Sequence, residues 1–363
     1  MVYVWAIVVF VGVLAGLSIL LTVAERLLVD YGVCQVDINA GEKVLEVEGG
    51  QTLLNSLNSE KVFIPSACGG KVSCGFCKVT VLSGGGAILP TERAFVTRKE
   101  ARAGVRLACQ VKVREDMQIR IPEDLLNVKM FSATVKSALT LTHDIKEIRM
   151  ALVEPAEISH RPGQYVQVQA PSSEGPVFRA YSVASPVYEP NVVDLVIRII
   201  PGGIASTYLH SVAEGDPMIF TGPYGEFRLN EDPETEVICV GGGAGMAPMR
   251  NIIYSIYDRW PDRSCWLFFG CRTTVDIFYL KEYQELAAKH PNFHVVYALS
   301  DPLGPDEKWD GETGFIHLSV DKHLDPGVKR QAFLCGPPPM IDAVMGVLEA
   351  KGLRERDIFY DKF

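Results

Sequence analysis

Four cysteines carry the first recognisable chemistry. Cys68, Cys74 and Cys77 lie in CGGKVSCGFC and Cys109 follows in RLACQ, a spacing of C-x5-C-x2-C-x31-C. Three thiolates on one tight loop, with a fourth from a distant turn, is the way a chain wraps a [2Fe–2S] cluster. Gly69, Gly70 and Gly75 let the backbone bend closely round the sulfurs and aim N–H groups at them. Zinc also takes four cysteines, usually from two short pairs, and only one C-x2-C is present; it stays the competing reading. Cys34, Cys239, Cys265 and Cys271 lack such company and read as small core residues. A cluster together with unpaired thiols points to a reducing compartment, so the soluble part is expected to face the cytoplasm.

Three further groups of residues suit bound nucleotides. In Arg179-Ala180-Tyr181-Ser182 an arginine can pair with a pyrophosphate, a ring can stack on a flat isoalloxazine, and a hydroxyl can bond to its reactive edge. Pro201-Gly202-Gly203-Ile204-Ala205-Ser206 reads as a glycine turn opening a helix, whose free N–H groups suit the same phosphates. Gly241-Gly242-Gly243-Ala244-Gly245-Met246-Ala247-Pro248 follows a buried-strand run and permits close backbone approach to a second pyrophosphate. Met246 stands at the final glycine position of GxGxxG, and no acid follows Cys265–Phe269 where a ribose ligand belongs. A standard Rossmann site is therefore disfavoured.

The elements that must position these groups change character along the chain. Val36–Ile38 and Lys43–Val47 alternate like paired strands, Gln51–Leu57 suits a short helix, and Lys78–Leu82 resumes as strand after the cysteine loop. Lys146–Val153, Gln164–Gln169, Asp194–Ile200 and Pro217–Thr221 are spaced for a small antiparallel barrel, with the RAYS tetrapeptide between turn-rich stretches. After Pro233 strands and helices alternate. Glu236–Val240, Cys265–Phe269, His294–Ala298 and Ala332–Cys335 read as buried strands of a doubly wound parallel sheet, with helical Leu280–Lys289 among the connections.

Composition bounds the class. With 48% hydrophobic and 22% charged residues in 363, the chain can fold as two or three domains and is not a disordered polymer. A formal net charge of −9 argues against a general nucleic-acid binder. Residues 33–127 hold 12 basic and 11 acidic residues against 22 and 31 in 128–363, so the chain divides near residue 127. Val2–Ala24 carries no charge, and as a helix it would be roughly 34 Å long, enough for a hydrocarbon core of about 30 Å. No Lys or Arg precedes it, which disfavours a cleaved signal peptide. Gly12 and Gly16 make a GxxxG face on which another helix can pack, a pattern also common by chance in apolar helices. One apolar helix without acids is no ion pathway. The scattered histidines show no ligand spacing.

RAYS, GGIAS, VGGGAGMAP and CGPPPM occur in that order, and together they resemble the ferredoxin–NADP reductase superfamily from Lys129 to Phe363. With the cysteine domain and the apolar segment, the whole chain resembles the F subunits of Na+-translocating NADH:quinone oxidoreductases. The x5 gap between Cys68 and Cys74, and LSDP with WDGETGFIH, support that choice over plant-type ferredoxins, which have x4. The resemblance implies a transmembrane anchor over 1–26, an α+β ferredoxin-like [2Fe–2S] domain over 33–126, an antiparallel FAD-binding barrel over 129–231, and an α/β NADH-binding domain over 234–363. It implies that Arg179, Tyr181 and Ser182 hold FAD, Gly203 and Ser206 shape the pyrophosphate turn, and Gly241, Gly242, Gly243 and Gly245 hold NADH. Cys335 and Ser182 match positions beside the hydride path, and Phe363 matches an aromatic that covers the flavin or is simply a chain end. Ser300-Asp301-Pro302 stands where NADP users tend to carry Ser-Arg, so NADH is expected.

The activity implied is that of a membrane-anchored electron-input subunit of an inner-membrane respiratory complex. Hydride passes from NADH to FAD, then single electrons pass through the cluster to other membrane subunits and ultimately quinone; Na+ transport belongs to those partners. One departure stands out: members of the family carry a longer insertion where only Ala170–Phe178 lies here. Two rivals remain, a reductase component of an oxygenase and a membrane-tethered iron–sulfur sensor.

Overall fold

The structure, a computed structural model, describes residues 5, 10–20, 31–66, 68–173, 175–304 and 307–362. It divides into two compact units, Met1–Asn127 and Val128–Phe363.

In the first unit, alternating sequence makes strands buried on one face: β1 (Val33–Ile38), β2 (Lys43–Glu48), β3 (Lys78–Ser83), β4 (Val105–Leu107) and β5 (Met117–Arg120). They form one sheet in the order β2-β1-β5-β3-β4, with β1 parallel to β5 and the other pairs antiparallel. The helix Leu53–Ser59 starts where the Thr52 hydroxyl accepts from the Asn55 amide. It turns Leu53, Leu54 and Leu57 onto the sheet, into one core with Val36, Ile38, Val79 and Ile119. Of the expected span Val2–Ala24, residues 5 and 10–20 are described, as helix; the others lie outside the described residues. Among the described residues no helix is long and apolar enough to cross a membrane.

The second unit contains two sheets. β6 (Lys129–Thr140), β7 (Ile145–Glu154), β8 (Tyr165–Ala170), β9 (Val177–Ser182), β10 (Val192–Arg198) and β11 (Pro217–Tyr224) are antiparallel in the order β10-β7-β6-β11-β8-β9. The two edges meet through a single bridge, Val183 to Leu195, so the barrel is closed by one bridge and not by a ladder. The sequence reading did not single out β6, although Phe131, Ala133 and Val135 alternate along it with Ser132, Thr134 and Lys136. RAYS lies between turn-rich stretches as expected, and the structure makes Arg179–Ser182 part of edge strand β9. The segment between β8 and β9 is a short hairpin connection in which the Ser172 hydroxyl donates to the Gly175 carbonyl.

The other sheet takes β12 (Glu236–Gly241), β13 (Cys265–Cys271), β14 (Phe293–Leu299), β15 (Glu312–Thr313), β16 (Arg330–Gly336) and β17 (Ile358–Lys362), all parallel, in the order β15-β14-β13-β12-β16-β17. The first strand lies in the interior, and the chain winds outward on one side before crossing to the other. That creates a switch point between β12 and β16, where ligands of such sheets bind. The sequence reading omitted β15, two residues long, and β17, whose half-exposed IFYDK resembles a terminal tail.

Within this unit the barrel and the parallel sheet share buried polar contacts. Arg250, on the helix Met246–Arg259, donates to Asp194 of β10 at 3.3 Å, to the Ala184 carbonyl at 3.1 Å and to Glu282 at 2.7 Å. Next to it the fully buried Asn251 side chain accepts from the Gly163 amide at 2.8 Å and meets His160 at 3.1 Å. Charge-assisted bonds of this kind fix the angle at which barrel and sheet meet.

Candidate functional site

The loop from Cys68 to Cys77 leads into β3, and Cys109 follows β4, the strand paired with β3. Strand pairing thus brings a residue 31 positions away back to the loop. The thiols form two pairs. The Cys74 thiol donates to the Cys68 sulfur at 3.3 Å, and Cys77 hydrogen-bonds Cys109. Burial opposes ionisation of Cys68, but the Ser73 and Cys74 backbone N–H groups and the Cys74 thiol outweigh it and bring Cys68 down to about 6. The Cys77 thiol lowers Cys109 in the same way, against its burial. All nine cysteines are free, and no group of three or more His, Cys, Asp or Glu converges on a single ion among the described residues. Two thiol pairs fit a two-iron cluster, with one pair for each iron, better than one zinc.

On β9, Arg179 and Tyr181 are two residues apart and share a face, while Ser182 ends the strand opposite Tyr165. Among the described residues β9 forms a ladder with β8 alone, so its second edge keeps backbone groups for a planar ring. Arg179 donates to the Phe178 carbonyl at 2.7 Å, and among the described residues no carboxylate pairs with it. Burial pushes the Tyr181 phenol up to about 12 against the neighbouring Arg179 charge, so the ring is neutral. Gly203 caps the helix Ile204–Ser211. The Ser206 hydroxyl accepts from the Ile200 amide at 3.1 Å, so this side chain staples the turn and leaves the first N–H groups of the helix for an anion.

At the switch point the glycine loop after β12 meets the end of β16. A Cβ at Gly245 would stand 2.1 Å from the Cys335 carbonyl oxygen, so only glycine allows this contact. Gly242 and Gly243 line a cleft of about 540 Å³, together with Gly270, Ser300, Phe315, Pro337 and Met340. Cys335 lies beneath the cleft, 2% exposed, with its thiol raised well above the ordinary range by burial and by Asp361. It is a neutral thiol. Phe363 lies outside the described residues.

Three family models match in chain order: a 2Fe-2S iron-sulfur cluster binding domain over residues 36–114, an oxidoreductase FAD-binding domain over 132–229, and an oxidoreductase NAD-binding domain over 239–345. The F subunit of the Na(+)-translocating NADH-quinone reductase of Neisseria meningitidis serogroup C is 38% identical over 400 residues, covering 98% of each chain. The chain belongs to this F-subunit family. The alignment has 400 positions against a chain of 363 residues, so that relative carries residues this family member lacks. Among solved structures, the Amycolatopsis cytochrome P450 reductase GcoB superposes with a TM-score of 0.73 at 30% identity, covering 91% of this chain and 98% of its own. A ferredoxin reductase of carbazole 1,9a-dioxygenase gives 0.69 at 27% identity, covering 92% and 99%. The module order is therefore common to several electron-transfer proteins. The F-subunit match spans 98% of both chains at 38% identity, against 30% and 27% for these two reductases.

One side chain of the cleft escaped the sequence reading. Arg198, the last residue of β10, reaches from the barrel to the glycine loop: a Cβ on Gly243 would lie 2.3 Å from its guanidinium. Gly243 has φ +58, so a side chain there would be strained as well as blocked. Asp144 pairs with Arg198 on its Nε side at 3.0 Å, while the Nη side of the guanidinium faces Gly243. A spacing motif cannot show this contact, because it joins two sheets.

Proposed function

We propose that the chain is the NADH-oxidising, electron-input subunit of a Na+-translocating NADH:quinone oxidoreductase. Its partners are the other membrane subunits of that inner-membrane complex, and its domain limits are 33–126, 129–231 and 234–363. The observation that carries the reading is the conjunction of a paired-thiol loop, a flavin-type edge strand and a switch-point cleft in a chain alignable almost end to end with F-subunit relatives. Val2–Ala24, charge-free over 23 residues, supplies a single-pass anchor with the two units on the cytoplasmic side. When bound, FAD supplies conversion of a two-electron hydride into single electrons, and the [2Fe–2S] centre supplies a one-electron relay.

The residues position and tune these groups and do little proton chemistry. Arg179 neutralises the flavin pyrophosphate, Tyr181 offers its neutral ring to the isoalloxazine face, and Ser182 bonds near its reactive edge. Gly203, with Ser206 bracing the turn, presents helix N–H groups to the same phosphates. Gly241, Gly242, Gly243 and Gly245 admit the nicotinamide dinucleotide, with Arg198 on its pyrophosphate. Cys335 would offer a neutral thiol beside the nicotinamide, and Phe363 is the aromatic that would cover the flavin. Cys68, Cys74, Cys77 and Cys109 hold the irons.

Anaerobic titration of the full chain with NADH, followed by absorbance and electron paramagnetic resonance, tests the whole route. Flavin bleaching followed by a reduced-cluster signal is expected. A flavin that never responds to NADH would sink the reading.

Two variants test the cleft. Arg198→Ala removes a charge-assisted contact of about 1.5–3 kcal/mol, so KM for NADH rises roughly tenfold or more with kcat nearly unchanged. An unchanged KM means that Arg198 does not touch the dinucleotide. Asp301 pairs with exposed Arg272 at 3.2 Å on the side of the cleft lined by Ser300. Asp301→Asn frees Arg272 and removes the repulsion of a 2′-phosphate, raising kcat/KM for NADPH by about tenfold relative to NADH. No change in the NADPH to NADH ratio would place the ribose elsewhere.

A further inference from the structure

Charge within the first unit is sorted along the chain. Between Lys61 and Arg114 lie ten of the twelve basic residues of 33–127 but only two of the eleven acids, Glu92 and Glu100. Both acids are already paired, Glu92 with Arg106 at 2.7 Å and Glu100 with Lys78 at 2.8 Å. The segment that carries all four cluster cysteines is therefore strongly positive, while the rest of the unit is negative.

Several of these cations adjoin the cysteine loop. Lys71 is within it and exposed. The turn Pro90–Ala94 is bound to it from two sides: a Cβ on Gly75 would meet the Phe95 ring at 2.7 Å, and the Thr91 hydroxyl donates to Gln110, next to Cys109, at 2.7 Å. Arg93 is therefore held beside the loop. The helix Arg98–Arg102 is tied to the start of β3, directly after Cys77, through Glu100 and Lys78. Lys71, Arg93, Arg98, Lys99 and Arg102 are all exposed, and none makes an ion pair among the described residues. Phe76, in the same loop as Lys71 and between ligands Cys74 and Cys77, is 48% exposed and stacks on no other ring among the described residues. An exposed phenyl group on a ligand loop has no part in the core.

We propose that this face, Phe76 bordered by Lys71, Arg93, Arg98, Lys99 and Arg102, is the docking surface for an acidic one-electron protein partner. The proposal rests on the reading that the cluster passes electrons onward. An apolar aromatic contact rimmed by charge is the composition of a protein interface, with the charges setting encounter rate and orientation. An anionic lipid surface would need the charges but has no use for an aromatic contact at the cluster ligands, since a headgroup accepts no electron. Each encounter transfers one electron to the acceptor, so oxidation of one NADH to NAD+ and H+ reduces two acceptor molecules.

The test uses the full chain in detergent with plastocyanin as the acidic acceptor and cytochrome c as the basic one, and Cys74→Ala protein gives the flavin-only background. Arg93→Glu, Arg98→Glu and Lys99→Glu are combined, and Phe76→Ala is made separately. The expected result is that plastocyanin reduction, and retention of the protein on immobilised plastocyanin, fall about tenfold or more between roughly 20 and 300 mM salt and again in the triple variant. Cytochrome c should show the opposite charge response. Phe76→Ala weakens retention without changing its salt slope, and NADH-driven cluster reduction is unchanged throughout. Salt-independent transfer, an unaffected triple variant, or slowed cluster reduction in that variant each overturns the proposal. So does a triple variant that loses binding to phosphatidylglycerol vesicles while keeping plastocyanin. If NADH fails to reduce the cluster in the unmodified chain, the functional reading falls, while retention still reports on docking.

Discussion

Replacing Cys74 by alanine abolishes the reduced-cluster paramagnetic signal and the iron–sulfur absorbance, while NADH bleaches the flavin at a rate within about twofold of the unmodified protein. The pairing of thiols explains the completeness of the loss. Cys74 and Cys68 form one pair at 3.3 Å, and Cys77 and Cys109 the other. Taking one member leaves an iron with a single protein thiolate. The hydride chemistry is insulated because β9 and the cleft belong to Val128–Phe363, which is compact without the cysteine loop. Cys74→Ser keeps a weaker oxygen ligand at the same place, so a cluster with an altered spectrum is expected there. Loss of NADH-to-flavin reduction together with the cluster would show that the two units do not function separately.

What the sequence displayed and what it hid follow from the range of each interaction. The cysteine loop, the turn before Ile204 and the glycine loop after β12 are local devices: residue type and spacing over some ten positions specify the bend, so they could be read directly. Strands buried on both faces, such as Cys265–Cys271, also announced themselves as short apolar runs. β9 did not, because all six of its residues are only half-buried, with no alternation to detect. The pairing of thiols was equally invisible, since it depends on β3 lying against β4. Arg198 shows the same limit at the site itself. Its meaning comes from Gly243, 45 positions away, and from the way the barrel packs on the parallel sheet. Ser206 is the converse case, where a residue placed correctly in its turn spends its hydroxyl on the Ile200 amide.

Arg106→Ala is expected to cost about 3–5 kcal/mol at neutral pH and to release the cluster before the second unit unfolds. Arg106 is 6% exposed and Glu92 fully buried, and they form a bidentate pair with Nε to Oε1 at 2.9 Å and Nη2 to Oε2 at 2.7 Å. The guanidinium also donates to the carbonyls of Gly85, Gly86 and Ala87, and the carboxylate accepts from the Leu89 and Leu107 amides. This one pair therefore anchors the loop after β3, the turn Pro90–Ala94 and the strand that delivers Cys109. Burial alone would raise the Glu92 carboxyl, but the Arg106 bond and the two backbone amides hold it below its usual range. A depressed carboxyl contributes stability above the unfolded value of about 4.3 and loses it as pH falls through the lower folded value. In Arg106→Ala the sign reverses: Glu92 is buried without its cation, its carboxyl rises, and the variant recovers stability as pH drops toward the point where Glu92 takes up a proton. Denaturant titrations of both proteins from neutral pH to about 4.5, read by cluster absorbance, should converge at the acid end. Adding Glu92→Gln should restore part of the loss at neutral pH, because the unpaired charge is then gone. A deficit that is constant across that range, and untouched by the second substitution, would mean that lost packing and not a stranded carboxylate destabilises the variant.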